Sequence, residues 1–202
     1  MVILKKFKKT VVVSIVLSSF VFGAGSAFAY NIWYGGGFGP HPTSTTVRPL
    51  STFDSASKTA FINAASQWSN AGAGNLVSIG SDTSNTSYPN DNNQNEVTKG
   101  ARGSNDYLMQ CNATSTSLVW NGLYWSNTIF EADIDVNTSY AWGNGSATLY
   151  DIGQVFTHEL GHLLGLDHSN VSGATMWSGS APGETYKRSI EQDDIDGILN
   201  IY

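Results

Sequence analysis

The sequence predicts an α+β domain in which a sheet packs against helices, and three observations carry that expectation. Between Phe53 and Ala71 the apolar residues Ala56, Ala60, Phe61, Ala64 and Trp68 recur at three- and four-residue intervals, the period of an amphipathic helix. Two runs, Tyr107 to Val119 and Ile129 to Val136, have strand character, and in the second Ile129, Ile134 and Val136 stand among acidic residues. A further helix begins near Asp151 and carries Val155, Phe156, Leu160, Leu163 and Leu164 on an apolar face.

Each element has local support. Gly72 closes the first helix, and Trp68 is expected to anchor it on the sheet. Leu76 to Ile79 reads as a short strand, whereas Ser81 to Asn95 is so rich in Asn, Ser, Thr and Asp that it reads as an unburied, variable surface loop. The runs at Tyr107 and Ile129 suggest neighbouring strands. Asp151 is placed to act as N-cap or first-turn acid of the second helix.

Lys5, Lys6, Lys8 and Lys9 precede an apolar run from Val11 to Phe22 and the small-residue stretch Ala27-Phe28-Ala29. This pattern predicts a secretory signal peptide over residues 1–29, cleaved before Tyr30, and the run is short for a membrane span. Residues 30–46, rich in Gly, Pro, Ser and Thr, read as a loose arm containing the exposed loop residue His41, and residues 47–202 as one domain with its own core. Four of the ten Lys and Arg fall in the leader and none of the sixteen Asp and Glu, so the exported part carries about −10. Nucleic acid and anionic membrane surfaces are thereby poor partners. Acidic groups such as Asp133 with Asp135, and Asp193, Asp194 and Asp196, are candidates for calcium, but no EF-hand loop occurs and no ligand is assigned. The single cysteine, Cys111, cannot form an intramolecular disulfide and reads as a small buried hydrophobe.

Residues 158–168, His-Glu-Leu-Gly-His-Leu-Leu-Gly-Leu-Asp-His, hold the densest chemistry and three of the four histidines of the chain. His158 and His162 are four apart and share one helical face, so both can reach one ion. Glu159 beside them is the carboxylate that takes the proton of an attacking water in the H-E-x-x-H pattern. His168, six residues further, is out of reach on a straight helix; Gly165 tolerates positive φ and lets the chain turn back. Three neutral imidazoles leave a coordination position open, which points to one catalytic zinc.

This motif resembles that of the metzincin metalloendopeptidases, in which a methionine turn follows, here Ala174-Thr175-Met176-Trp177. Within that group the chain is most similar to the matrixins, the matrix metalloproteinase-like family. Ser169 follows the third histidine, Ser189 to Ile198 is similar to the matrixin C-terminal helix, and Phe61 to Ser69 to the first helix. The resemblance implies a twisted, mostly parallel sheet with an antiparallel edge strand, an active-site helix and a C-terminal helix. It implies zinc ligands His158, His162 and His168, Glu159 as general base, and Met176 as a floor beneath the metal without ligating it. Gln154 would lie at the base of the pocket for the residue after the scissile bond, Asp194 would buttress the methionine turn, and Asp193 would pair with the Tyr30 ammonium. The substrates implied are extended polypeptides lying along a strand edge, matrix proteins among them, and the expected enzyme is a secreted monomer of minimal, bacterial type. Two departures stand out: with only His41 outside the motif, the second structural zinc of mammalian-type matrixins lacks ligands, and no Pro-Arg-Cys-Gly latency motif occurs. A reading of another class is a proteolytically inert, zinc-containing secreted factor that binds extended peptides.

Overall fold

The computed structural model describes residues 31–32, 44–104, 106–115, 119–120, 125–126 and 129–202 of the 202-residue chain. The segment read as a signal peptide, Tyr30, His41 and most of the arm lie outside the described residues.

Five strands form the main sheet: β1 (Thr45–Pro49), β2 (Val77–Ile79), β3 (Asn95–Gly100), β4 (Met109–Ser115) and β5 (Ile129–Asn137). Their order is β2-β1-β3-β5-β4. Every neighbouring pair is parallel except β4 with β5, so the sheet is mostly parallel with one antiparallel edge strand. Three helices accompany it: α1 (Ser55–Ser69), α2 (Ile152–Leu163) and α3 (Gln192–Ile201). The strand runs read at Tyr107 and Ile129 are the neighbours β4 and β5.

Two sheet strands are absent from the sequence reading. β1 starts at Thr45, two residues inside the segment read as an arm, and buries Thr45, Val47 and Pro49. β3 runs through Asn95-Glu-Val-Thr-Lys-Gly100, whose polar composition hides a strand with Glu96, Val97 and Thr98 all buried.

Helix α1 starts at the N-cap Asp54, whose carboxylate accepts the Ser57 amide at 2.7 Å. Its buried face carries Ala60, Phe61, Ala64, Ala65 and Trp68. Trp68 anchors it differently from the expectation: the fully buried indole N–H donates to the Thr157 carbonyl at 2.8 Å, tying α1 to α2 rather than to the sheet. Phe61 and Phe156 meet between the same two helices with ring centroids 4.2 Å apart.

Strand β5 explains how the acids are accommodated. Its two-residue period sets Ala132, Ile134 and Val136 on one face and Glu131, Asp133, Asp135 and Asn137 on the other, and all seven are buried. The loop between β2 and β3, expected to be plain surface, covers these acids. Glu131 accepts the amides of Asn92 and Asn93 at 3.0 and 2.6 Å, and Asp133 accepts those of Asn90 and Glu96 at 2.8 and 3.1 Å. Glu96 in turn accepts the Thr83 hydroxyl and the side-chain amides of Asn85, Asn90 and Asn92. The loop is rich in Asn because short amide side chains supply donors to buried carboxylates. Burial dominates at Asp133 and pushes its carboxyl up to about 6.

Asp135 is held by charge. Arg102 donates to both of its oxygens, from Nε at 2.8 Å and Nη2 at 2.9 Å, while the Tyr107 hydroxyl and Thr98 hydroxyl add bonds of 3.0 and 2.7 Å. Removing one partner of such a pair leaves a buried charge uncompensated. Arg102→Met is expected to lower stability by about 2 kcal/mol, since Arg102 itself is partly solvated; urea unfolding of the variant beside the wild type measures this.

Candidate metal and catalytic centre

Helix α2 begins where its carboxylate cap is locked in place. Asp151 accepts the Gln154 amide at 2.8 Å and the Gly145 amide at 2.7 Å, and Arg188 donates to it through Nε at 2.8 Å. Burial opposes ionisation of Asp151, but the Arg188 guanidinium and the two amides hold its carboxyl below the usual range. The helix is buried along its whole length, which fits its run of small and apolar residues between the polar functional ones.

Leu164 caps its C-terminus and Gly165, at φ 101°, accomplishes the reversal read from the sequence. The Gly165 amide donates to the His162 carbonyl at 2.9 Å. The returning chain brings His168 beside the helical pair, so one ligand atom from each of His158, His162 and His168 lies within 4.8 Å of the others. His158 and His162 are buried and His168 is exposed, so one side of the cluster faces solvent.

Both helical imidazoles are oriented by backbone carbonyls. Nδ1 of His158 is 2.8 Å from the Thr175 carbonyl oxygen, and Nδ1 of His162 is 2.8 Å from that of Leu166. A carbonyl can only accept, so each Nδ1 carries the proton and each Nε2 presents a lone pair. Burial lowers both pKa values, that of His162 to about 4, which keeps the rings neutral as metal ligands require.

The methionine turn forms the underside. Met176 is 1% exposed, and a Cβ on Gly161 would fall 2.2 Å from its sulfur and 2.9 Å from Cζ2 of Trp68. Glycine between the two helical histidines is thus required by close approach. Asp194 fixes the turn from below by accepting the amides of Thr175 and Met176 at 2.8 and 3.0 Å, and it also accepts that of Glu191 at the start of α3. Asp193 accepts the Ser169 hydroxyl at 2.6 Å, while the Tyr30 ammonium proposed for it lies outside the described residues. Ser169 also donates its amide to the Met176 carbonyl at 2.8 Å, joining the segment after His168 to the turn.

Glu159 is 6% exposed, and one of its oxygens accepts the Cys111 amide of β4 at 2.8 Å. Desolvation pushes its carboxyl up to about 8 despite that bond. Cys111 is buried, as expected, and burial raises its thiol well above the ordinary value. Its functional contact is the backbone amide, for which residue type gives no signal.

A cavity of about 220 Å³ opens beside the histidines, between the edge strand β4 and the segment after the methionine turn. Gln154 lines it, fully buried, with Nε2 donating to the Ser180 hydroxyl at 2.9 Å and Oε1 accepting the Lys187 amide at 3.2 Å. Lys187 and Ser180 are absent from the sequence reading, because nothing local links them to a motif some twenty residues or more away. The carboxylates considered for calcium are engaged by protein donors: Asp133, Asp135, Asp193 and Asp194 as above, and Asp196 by Gln192.

Because the Glu159 carboxyl is higher in the fold than the ordinary value near 4.5, the folded state holds its proton longer than the unfolded chain. Its contribution to stability therefore falls as pH rises from about 4.5 to about 8. In metal-free protein Glu159→Gln, which keeps an acceptor for Cys111 but does not ionise, is expected to match wild type at pH 4.5 and exceed it by on the order of 3 kcal/mol at pH 8. Thermal melts across that range measure the difference.

Residues 113–202 match the family model described as Matrixin, peptidase M10. Human neutrophil collagenase is 46% identical over 70 residues, which are 35% of this chain and 15% of that protein. Metalloendoproteinase 1 of Glycine max is 49% identical over 53 residues, 26% of this chain and 17% of the relative, and human matrilysin 38% over 61 residues, 30% and 23%. The chain thus spans less than a quarter of the length of these curated relatives.

Proposed function

The chain belongs to the matrixin family, and from that premise we propose that it is a secreted zinc-dependent endopeptidase acting on extended polypeptides. One observation carries the reading: three neutral imidazoles converge within 4.8 Å beside a buried carboxylate and an open strand edge. The donor set suits zinc, since three nitrogen ligands with carbonyl-fixed tautomers leave one position of a tetrahedron open. His158, His162 and His168 would hold the ion, with Met176 packed beneath. Zinc bound there supplies Lewis acidity, which acidifies water and polarises a carbonyl oxygen.

The rest of the chemistry belongs to the protein. The edge of β4 away from β5 pairs with no strand among the described residues, so an extended substrate can add to it through backbone hydrogen bonds. The Cys111 amide holds Glu159 at that edge, where its carboxylate takes the proton of the attacking water and returns it to the leaving amine. A bound cation beside Glu159 offsets the desolvation that otherwise favours its protonated form. Export rests on the Lys-rich, apolar N-terminal pattern, and no helix among the described residues is long and apolar enough to cross a membrane. The acidic charge disfavours nucleic acid and anionic membranes, and we assign a monomer with one catalytic zinc and no calcium ligands.

Glu159→Ala is expected to keep stoichiometric zinc and lose about a thousandfold or more in peptide cleavage, within the range of general-base loss combined with mispositioned water. His162→Ala is expected to lose zinc as well. Zinc analysis and cleavage of a peptide library by wild type and both variants test this; a zinc-loaded wild type that cleaves no peptide would favour the inert peptide-binding factor.

A further inference from the structure

Six lysines and arginines follow residue 29, and Lys187 is the one that is buried, at 2% exposure. It sits in the 3-10 turn Tyr186–Arg188, which packs against α2. Its Nζ donates to the Trp177 carbonyl at 2.6 Å and to the Gly179 carbonyl. Its partners are thus carbonyl dipoles: the ion pairs among the described residues are Lys58 with Asp82, Arg102 with Asp135 and Arg188 with Asp151. A buried ammonium without a carboxylate is costly, and desolvation lowers the Lys187 pKa accordingly. Such a cost is met where a ligand supplies the missing charge.

Lys187 lines the cavity beside the histidines, together with Ser180 and Gln154. Gln154 spends its side-chain amide on Ser180 and the Lys187 backbone, whereas the ammonium has three N–H bonds and two carbonyl partners. The cavity's one carboxylate, Glu159, is engaged by the Cys111 amide. An apolar cavity of this size would suit a leucine-like side chain, but a buried cation in its wall suits a carboxylate.

Resting on the endopeptidase reading, we propose that this cavity selects substrates with an acidic side chain, glutamate or aspartate, on a residue flanking the cleaved bond. Lys187 is the specificity-determining contact, and the Ser180 hydroxyl is a second donor. A purely structural Lys187 would tie down the wall at Trp177 and Gly179 and affect all substrates alike; a contact residue changes their ranking.

The test is cleavage of a peptide library randomised on both sides of the scissile bond by the zinc-loaded wild type, Lys187→Met and Lys187→Arg, with products read by mass spectrometry. Wild type is expected to enrich Glu and Asp over Leu at one flanking position by about tenfold, the effect of one charge-assisted hydrogen bond. Lys187→Met is expected to lose that enrichment while still cleaving leucine-containing peptides, and Lys187→Arg to retain it. Leucine preferred by wild type at both flanking positions, or acid preference unchanged in Lys187→Met, overturns the proposal and leaves the endopeptidase reading standing. If Lys187→Met does not fold, the wild-type profile alone decides between these outcomes. A wild type that cleaves nothing overturns both.

Discussion

The site depends on holding the chain that follows Gly165 against the helix it has just left. A helix alone presents two imidazoles, and the third arrives only if a reversed segment is fixed to sub-ångström accuracy. Gly165 permits the reversal through its positive φ, but permission is not fixation. Fixation comes from the hydrogen bonds gathered on Asp194, Asp193 and Ser169, which join the methionine turn, the start of α3 and the segment after His168. The same turn lends the Thr175 carbonyl to His158, so one backbone segment both supports the cluster and sets a ligand's tautomer. Gly161 completes the arrangement by letting Met176 and Trp68 approach the helix backbone.

A second constraint is electrostatic. The chain has few cations, yet it buries Glu96, Glu131, Asp133, Asp135, Asp151, Glu159 and Asp194. Most are satisfied by amides and hydroxyls, and Asp135 and Asp151 by guanidinium groups that also pin flanking loops. Charge is thus neutralised locally where loops must be anchored. At Glu159 a single amide is the protein donor, and desolvation prevails there, which leaves that carboxylate the most poised for proton transfer.

The parts legible in the sequence are those set by short-range rules. The His158–His162 spacing, the Asp151 cap, the Gly165 reversal and the α1 periodicity each follow from local geometry, and the family resemblance added the methionine turn and the sheet with its antiparallel edge. Strands β1 and β3 were hidden because their sequences are polar, their burial depending on neighbours far along the chain. The Asn-rich loop was misread for the same reason: its side chains look solvated until the acids of β5, about forty residues away, are set beside them. Trp68 was correctly placed in the core but assigned to the wrong partner, since an indole N–H seeks an acceptor and the Thr157 carbonyl lies on α2. Lys187 had no local signature, because its burial is created by the chain closing over α2.

The claim that three histidines hold one zinc with a position left open is tested most directly by zinc-edge X-ray absorption on the metal-loaded protein. The account predicts three imidazole nitrogens at about 2.0 Å and one further light oxygen scatterer. A sulfur at about 2.3 Å, or a closed shell of four protein ligands, would contradict it.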